Sequence, residues 1–207
     1  EKTSWNTPFV VEHKGTTQAI LNGTTRVRSY DIATGKELWS CAGMTTNAIP
    51  SVVVKDGIAY AMSGYRGAAA VAVPLDTRGD LGDNGKVAWR MAKGTPYVPS
   101  PLLLGDRLWF TQANAQLLTV TDIRTGKPVV DGERLPSVRS FYASPAAAAG
   151  RIYFCDQSGV TLVLKAADGV EVLATNRLDD PIDASPAIVG KQIFLRGAKY
   201  VYCIENQ

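Results

Sequence analysis

A short apolar strand, a tight polar turn and a second strand recur five times along this chain, and that repeat limits its fold more than any other feature. Three copies are unmistakable: Ser100-Pro101-Leu102-Leu103-Leu104-Gly105-Asp106, Ser144-Pro145 followed by four alanines and Gly150, and Ser185-Pro186-Ala187-Ile188-Val189-Gly190-Lys191. A fourth, Pro50-Ser51-Val52-Val53-Val54-Lys55-Asp56-Gly57, precedes them, and Thr7-Pro8-Phe9-Val10-Val11 opens the series. The anchors Ile58, Leu108, Ile152 and Ile193 are spaced by 50, 44 and 41 residues. Proline has no N–H to donate and fits where a ladder has not yet begun. Asp-Gly and Gly-Asp pairs supply the positive φ of tight hairpins, and a wholly apolar first strand suits burial on both faces.

The second half of each unit is also a strand pair. Asp31-Ile32-Ala33-Thr34-Gly35-Lys36-Glu37-Leu38-Trp39 reads as strand, turn, strand, and Asp122-Ile123-Arg124-Thr125-Gly126-Lys127 repeats it. In both, Asp stands four residues before Gly, so its carboxylate can accept turn N–H groups while Gly takes the left-handed residue. Gly85-Lys86-Val87-Ala88-Trp89 keeps the end of the motif, whereas the copy near Asp168 has lost the aligned Asp and Lys. Helical periodicity is absent, so the chain is all-β. A four-stranded unit cannot bury both faces alone and must stack on neighbours. Trp39 and Trp89 sit where a large ring would wedge between units, with Val130 and Leu173 at that place in others.

Together these motifs resemble the PQQ-like β-propeller repeat, from about Thr7 to Glu205. The resemblance implies four-stranded antiparallel blades locked by tryptophan-docking contacts, with Trp39, Trp89, Asp31, Gly35, Asp122 and Gly126 as the docking residues. Five units are expected, at about 7–46, 47–96, 97–139, 140–180 and 181–207, the last without a fourth strand. Propellers of this family usually close with seven or eight blades. The expectation is therefore a C-terminal part of a larger propeller whose missing N-terminal blades supply the closing strand; a self-contained five-bladed ring is the alternative.

The family includes quinone-dependent alcohol dehydrogenases, a propeller lipoprotein of outer-membrane assembly, and propellers fused to serine/threonine kinases. The enzymes use adjacent cysteines, a bound Ca²⁺ and a catalytic Asp. Here Cys41, Cys155 and Cys203 are far apart, and no acidic residue falls in a matching context. The cysteines, all in apolar strands, read as small buried hydrophobes. Only under the dehydrogenase alternative would PQQ and calcium be expected. One acidic loop carries Asp76, Asp80 and Asp83, oxygens that suit Ca²⁺, although any long hairpin loop uses the same residue types. His13 is the only histidine and reads as an exposed turn residue, and Asp179-Asp180 as a solvated connection.

A net charge of +3, dispersed along the chain, argues against nucleic acid as a partner. No run approaches the roughly 18 apolar residues of a membrane span. Tyr65, Tyr97, Phe141 and Tyr142 are loop aromatics. Tyr97, Phe141 and Tyr142 stand just before inner strands, where propeller connections gather at one end of the channel, so they are candidates to line a binding rim. The resulting expectation is a non-enzymatic, exported bacterial scaffold, periplasmic by resemblance, that binds a protein, peptide or cell-envelope polymer. The alternatives are a dehydrogenase fragment and a kinase-linked sensor.

Overall fold

The computed structural model describes residues 3–205. Among these residues twenty strands form five sheets, each built on an antiparallel meander of successive strands, the first extended by one parallel edge strand. Blade 1 holds β1 (Phe9–His13), β2 (Thr16–Asn22), β3 (Arg26–Asp31) and β4 (Glu37–Ala42). Blade 2 holds β5 (Val53–Lys55), β6 (Ile58–Ser63), β7 (Ala69–Pro74) and β9 (Trp89–Met91). The short β8 (Gly79–Asp80) lies between β7 and β9 in sequence but pairs in parallel with β4 of blade 1.

Blade 3 comprises β10 (Leu102–Leu104), β11 (Arg107–Thr111), β12 (Leu117–Asp122) and β13 (Pro128–Arg134). Blade 4 comprises β14 (Ala146–Ala148), β15 (Arg151–Cys155), β16 (Val160–Lys165) and β17 (Val172–Arg177). Blade 5 has three strands, β18 (Ala187–Val189), β19 (Gln192–Arg196) and β20 (Val201–Glu205). The inner strands β10, β14 and β18 pack side by side, which makes the architecture that of a propeller. Among the described residues no hydrophobic cluster joins blade 5 to blade 1, and Val201 and Ile204 of β20 are exposed, so the five blades do not close on themselves as a ring.

The turns behave as their residues dictate. Asp56 and Gly57 both take positive φ, 50° and 75°, in the tight β5–β6 hairpin, the geometry an Asp-Gly pair tolerates best. In the Asp31 turn Thr34 N–H donates to Asp31 Oδ1 (2.9 Å) and Gly35 N–H to the Asp31 carbonyl (2.8 Å). The Asp122 turn repeats this, with Thr125 N–H on Oδ1 (3.1 Å) and Gly126 N–H on the carbonyl (2.9 Å).

The core is a series of inter-blade layers, since each sheet buries its faces against its neighbours. Ile20, Val27, Trp39 and Cys41 of blade 1 pack with Val52, Ala59 and Val71 of blade 2. Tyr60, Ala72 and Trp89 of blade 2 pack with Leu108, Phe110 and Ile123 of blade 3. Strand pairing corrects the repeat alignment at two places. Lys55 pairs with Ile58 as Leu104 pairs with Arg107, so Ala59, not Ile58, is the counterpart of Leu108. The turn before β17 is one residue longer than its blade 3 counterpart and sets Ala174 opposite Val163, just as Trp89 stands opposite Ala72. The tryptophan position of blade 4 is therefore Ala174, and Leu173 is exposed.

Candidate partner-binding rim

In a four-stranded meander the hairpin between the second and third strands and the linker into the next blade emerge at one end. The hydrogen bonds reflect this. Ser51 N–H donates to Ser100 Oγ (3.0 Å), Ser100 N–H to Ser144 Oγ (2.9 Å) and Ser144 N–H to Ser185 Oγ (2.9 Å). The serine of each Ser-Pro start thus accepts from the preceding blade, a chain of contacts around the inner strands that one repeat alone cannot reveal. Linkers also clamp onto hairpins: Val98 N–H reaches Asn114 Oδ1 (3.0 Å), and Arg139 N–H reaches Asp156 Oδ2 (2.9 Å).

At this end Tyr65 and Tyr97 stack with ring centroids 4.9 Å apart and planes inclined by 27°. The Arg66 guanidinium carbon lies 5.3 Å from the Tyr65 ring centroid, within cation–π range. Asn47 Nδ2 donates to the Tyr97 hydroxyl (2.8 Å), while its Oδ1 accepts from the indole N–H of Trp5 (2.7 Å). Trp5, 69% exposed, extends this surface. Neither Trp5 nor Asn47 stood out in the sequence, because they reach Tyr97 from a different blade. Gly64 is confined here as well, since a Cβ would stand 2.6 Å from the Pro96 carbonyl oxygen.

The other two rim candidates diverge. Tyr142 is exposed. Phe141 is buried, edge-on to Phe154 at 5.8 Å, which removes it from the rim. Its place, three residues before the linker serine, is held by buried Ala48 and Ile182 but also by half-buried Tyr97 in other units, so packing on Phe154, and not the repeat position, puts Phe141 in the core.

Asp180 is another correction. It is buried, not solvated, and accepts from Lys199 N–H, Tyr200 N–H and the Tyr202 hydroxyl, each at 3.1 Å. Burial pushes its carboxyl up, but these donors outweigh it and hold the group below the usual carboxylate range.

The acidic-loop residues lie elsewhere and do not converge. Asp76 bonds His13 Nε2 (3.0 Å) and Lys14 Nζ (2.7 Å), and the Lys14 bond leads in holding its carboxyl low. His13 is thus an inter-blade partner whose side chain is only 20% exposed. Asp80 takes Arg26 with both oxygens (2.6 Å each) and is held low first by the Gly82 N–H and then by Arg26. Asp83 stands near Arg90 and Gly43. Among the described residues no three His, Cys, Asp or Glu side chains gather as a metal-holding group. Cys41 and Cys155 are buried, but Cys203 is exposed on β20, whose outer edge pairs with no other strand among the described residues. No helix is long and apolar enough to cross a membrane among the described residues.

Both tryptophans lie between blades. Trp89 Nε1 donates to the Ile123 carbonyl of blade 3 (2.7 Å). Fully buried Trp39 has no such acceptor: its Nε1 has no partner among the described residues, and the equivalent carbonyl, Leu75, is taken by Gln18 Nε2 (3.2 Å).

Comparison with known proteins agrees with this architecture. No curated protein matches the sequence. The crystal structure of BamB from Moraxella catarrhalis superposes with a TM-score of 0.68 at 13% identity, covering 98% of this chain and 59% of that one. The chain thus spans little more than half the length of that relative. Two computationally designed proteins also match: Ika8 (TM-score 0.68, 16% identity, 95% of this chain, 57% of that one) and Ika4 (0.61, 14%, 83% and 99%). These likenesses concern the fold. The family model described as "Outer membrane protein assembly factor BamB" matches residues 23–207, and the chain belongs to that PQQ-like propeller family.

Proposed function

We propose that this chain is a non-enzymatic, exported binding scaffold that holds a protein or peptide segment at its linker end, in the periplasm, during outer-membrane protein assembly. The observation that carries this reading is the Tyr65–Tyr97 stack, bracketed by Arg66, Asn47 and exposed Trp5. Stacked tyrosines offer a broad, rigid contact area at low conformational cost, with hydroxyl and amide groups to orient a bound chain. The family description supplies the assembly setting. The reading calls for neither quinone nor metal.

The test is site-specific photocrosslinking in cells with a benzophenone side chain at Trp5, Tyr97 or Tyr142, and at exposed Val129 as control. The reading requires a discrete protein adduct at the first three sites and none at Val129. Equal labelling at Val129, or no adduct at any of the three rim positions, overturns it. So does dye-linked alcohol oxidation by the purified protein after addition of PQQ and Ca²⁺.

A further inference from the structure

Between blades 4 and 5 lies a cavity of about 230 Å³, and its walls match a place in the same molecule that is filled. Six of its lining residues are Tyr153, Thr161, Val163, Asn176, Ile193 and Leu195. Strand pairing makes them the counterparts of Tyr60, Ala70, Ala72, Met91, Leu108 and Phe110 between blades 2 and 3. There the indole of Trp89 occupies the centre, tilted against Tyr60 with ring centroids 5.8 Å apart. In blade 4 the residue at that position is Ala174, opposite Val163. In blade 3 the same position is Val130, which packs in one cluster with Phe154 and Leu162. Blade 5 brings the smaller Leu195 where blades 3 and 4 have Phe110 and Phe154. The cavity thus has walls equivalent to those that surround the Trp89 indole, and exposed Asn176, Arg177 and Ile204 also line it.

We propose that this cavity is a binding site for a planar aromatic group of indole size, inserted from outside between β17 and blade 5. Tyr153 supplies the aromatic wall that Tyr60 gives to Trp89, and Ile193, Leu195 and Val163 supply the apolar remainder. Thr161 and Asn176 offer side-chain oxygens to an indole N–H, and Arg177 can lie over the exposed ring face. The site is on the outer side of the blade 4–5 interface and is independent of the tyrosine rim.

The test is methyl-detected NMR of the intact chain titrated with indole, and separately with N-acetyl-tryptophanamide. Shifts are expected at Ile193, Leu195, Val163 and Ile204. Ala174→Trp, which restores the side chain found in blades 1 and 2, abolishes them. Should that variant not fold, Val163→Phe fills the same space and serves the same purpose. Tyr153→Leu keeps the cavity apolar but removes the ring, and weakens binding by roughly three- to tenfold, the value of one aromatic pair. Indole shifts without amide shifts assign the site to free small aromatics, and shifts from both admit a tryptophan side chain of a peptide. Absent shifts in the wild type, shifts scattered over the surface, or shifts that persist in a folded Ala174→Trp overturn the proposal.

Discussion

The indole of Trp89 lies against the Cα of Gly126 in the next blade: a Cβ built on Gly126 would stand 2.6 Å from Trp89 Cδ2 and 2.8 Å from Cε3. Gly126 also has φ +67°, so an alanine there meets backbone strain and a ring it cannot displace. Gly126→Ala should cost about 2–5 kcal/mol, the sum of a left-handed L-residue and an overpacked contact. Gly35 makes the same turn at φ +69° with nothing within 4 Å of its Cβ position, and Gly35→Ala should cost about 1–2 kcal/mol. Urea unfolding of the two variants compares them directly. Equal losses would mean that turn strain alone matters and the ring contact does not.

The insertion in blade 2 is an edge cover for blade 1. Besides the β8–β4 pairing, Leu81 N–H bonds the Ser40 carbonyl (2.9 Å) and Ala42 N–H bonds the Gly82 carbonyl (3.0 Å). An outer strand left bare is a template for another chain. Replacing residues 77–86 by a short turn should leave the chain folded but produce concentration-dependent association in light scattering. A variant that stays monomeric at all concentrations would show that β4 needs no cover.

The same loop tests the calcium reading. Asp76 and Asp80 already bond His13, Lys14 and Arg26 of blade 1, so a cation would have to displace inter-blade ion pairs. Ca²⁺ added at constant ionic strength should leave the thermal midpoint unchanged, whereas a ligand that binds the folded state would raise it with concentration. A concentration-dependent rise would reinstate Asp76, Asp80 and Asp83 as a site.

The propeller was legible from the sequence because its signals are local: Asp56-Gly57 sets a hairpin, Asp122 and Gly126 set a turn, and Pro at a strand start marks the inner strand. What escaped depends on geometry between repeats. The turn before β17 is one residue longer than its blade 3 counterpart, which moves Ala174, and not Leu173, into the tryptophan position. Asp180 reads as polar surface until the hairpin of blade 5 folds over it. Phe141 reads as a loop aromatic like Tyr97, which holds the same repeat position, and only its packing against Phe154 of the next blade puts it in the core. The rim pairing of Tyr97 with Asn47 and Trp5 crosses blades, and nothing in local spacing encodes it.

Asp180 makes stability depend on acid. Its folded carboxyl is held below the ordinary aspartate value of about 3.9, so folding favours the ionised form. The contribution is complete above the unfolded pKa and disappears as pH falls through the lower folded one. Asp76, Asp80, Asp106, Asp122 and Asp168 are shifted in the same direction, so the unfolding midpoint should fall steeply below about pH 4. Asp180→Asn keeps an acceptor for Lys199 or Tyr200 but cannot titrate, and it should flatten that fall. An unchanged slope in the variant would show that the other aspartates carry the whole dependence.

The three cysteines should separate by reactivity. Only a thiolate attacks readily, and burial disfavours it. Burial raises the Cys155 thiol, and it raises Cys41 despite the Arg90 guanidinium, whose Nη2 lies 3.1 Å from Sγ and pulls the other way. Cys203 is exposed on β20, which is an edge strand among the described residues. Brief maleimide treatment of the native chain should therefore add one label, mapped to Cys203 by peptide mass, and denaturant should release the other two sites. The same experiment reads the packing of blade 5. If Cys203 resists labelling until the chain unfolds, its face is covered in solution, by a second copy or by more of the same propeller, and Val201 and Ile204 beside it are interface rather than surface.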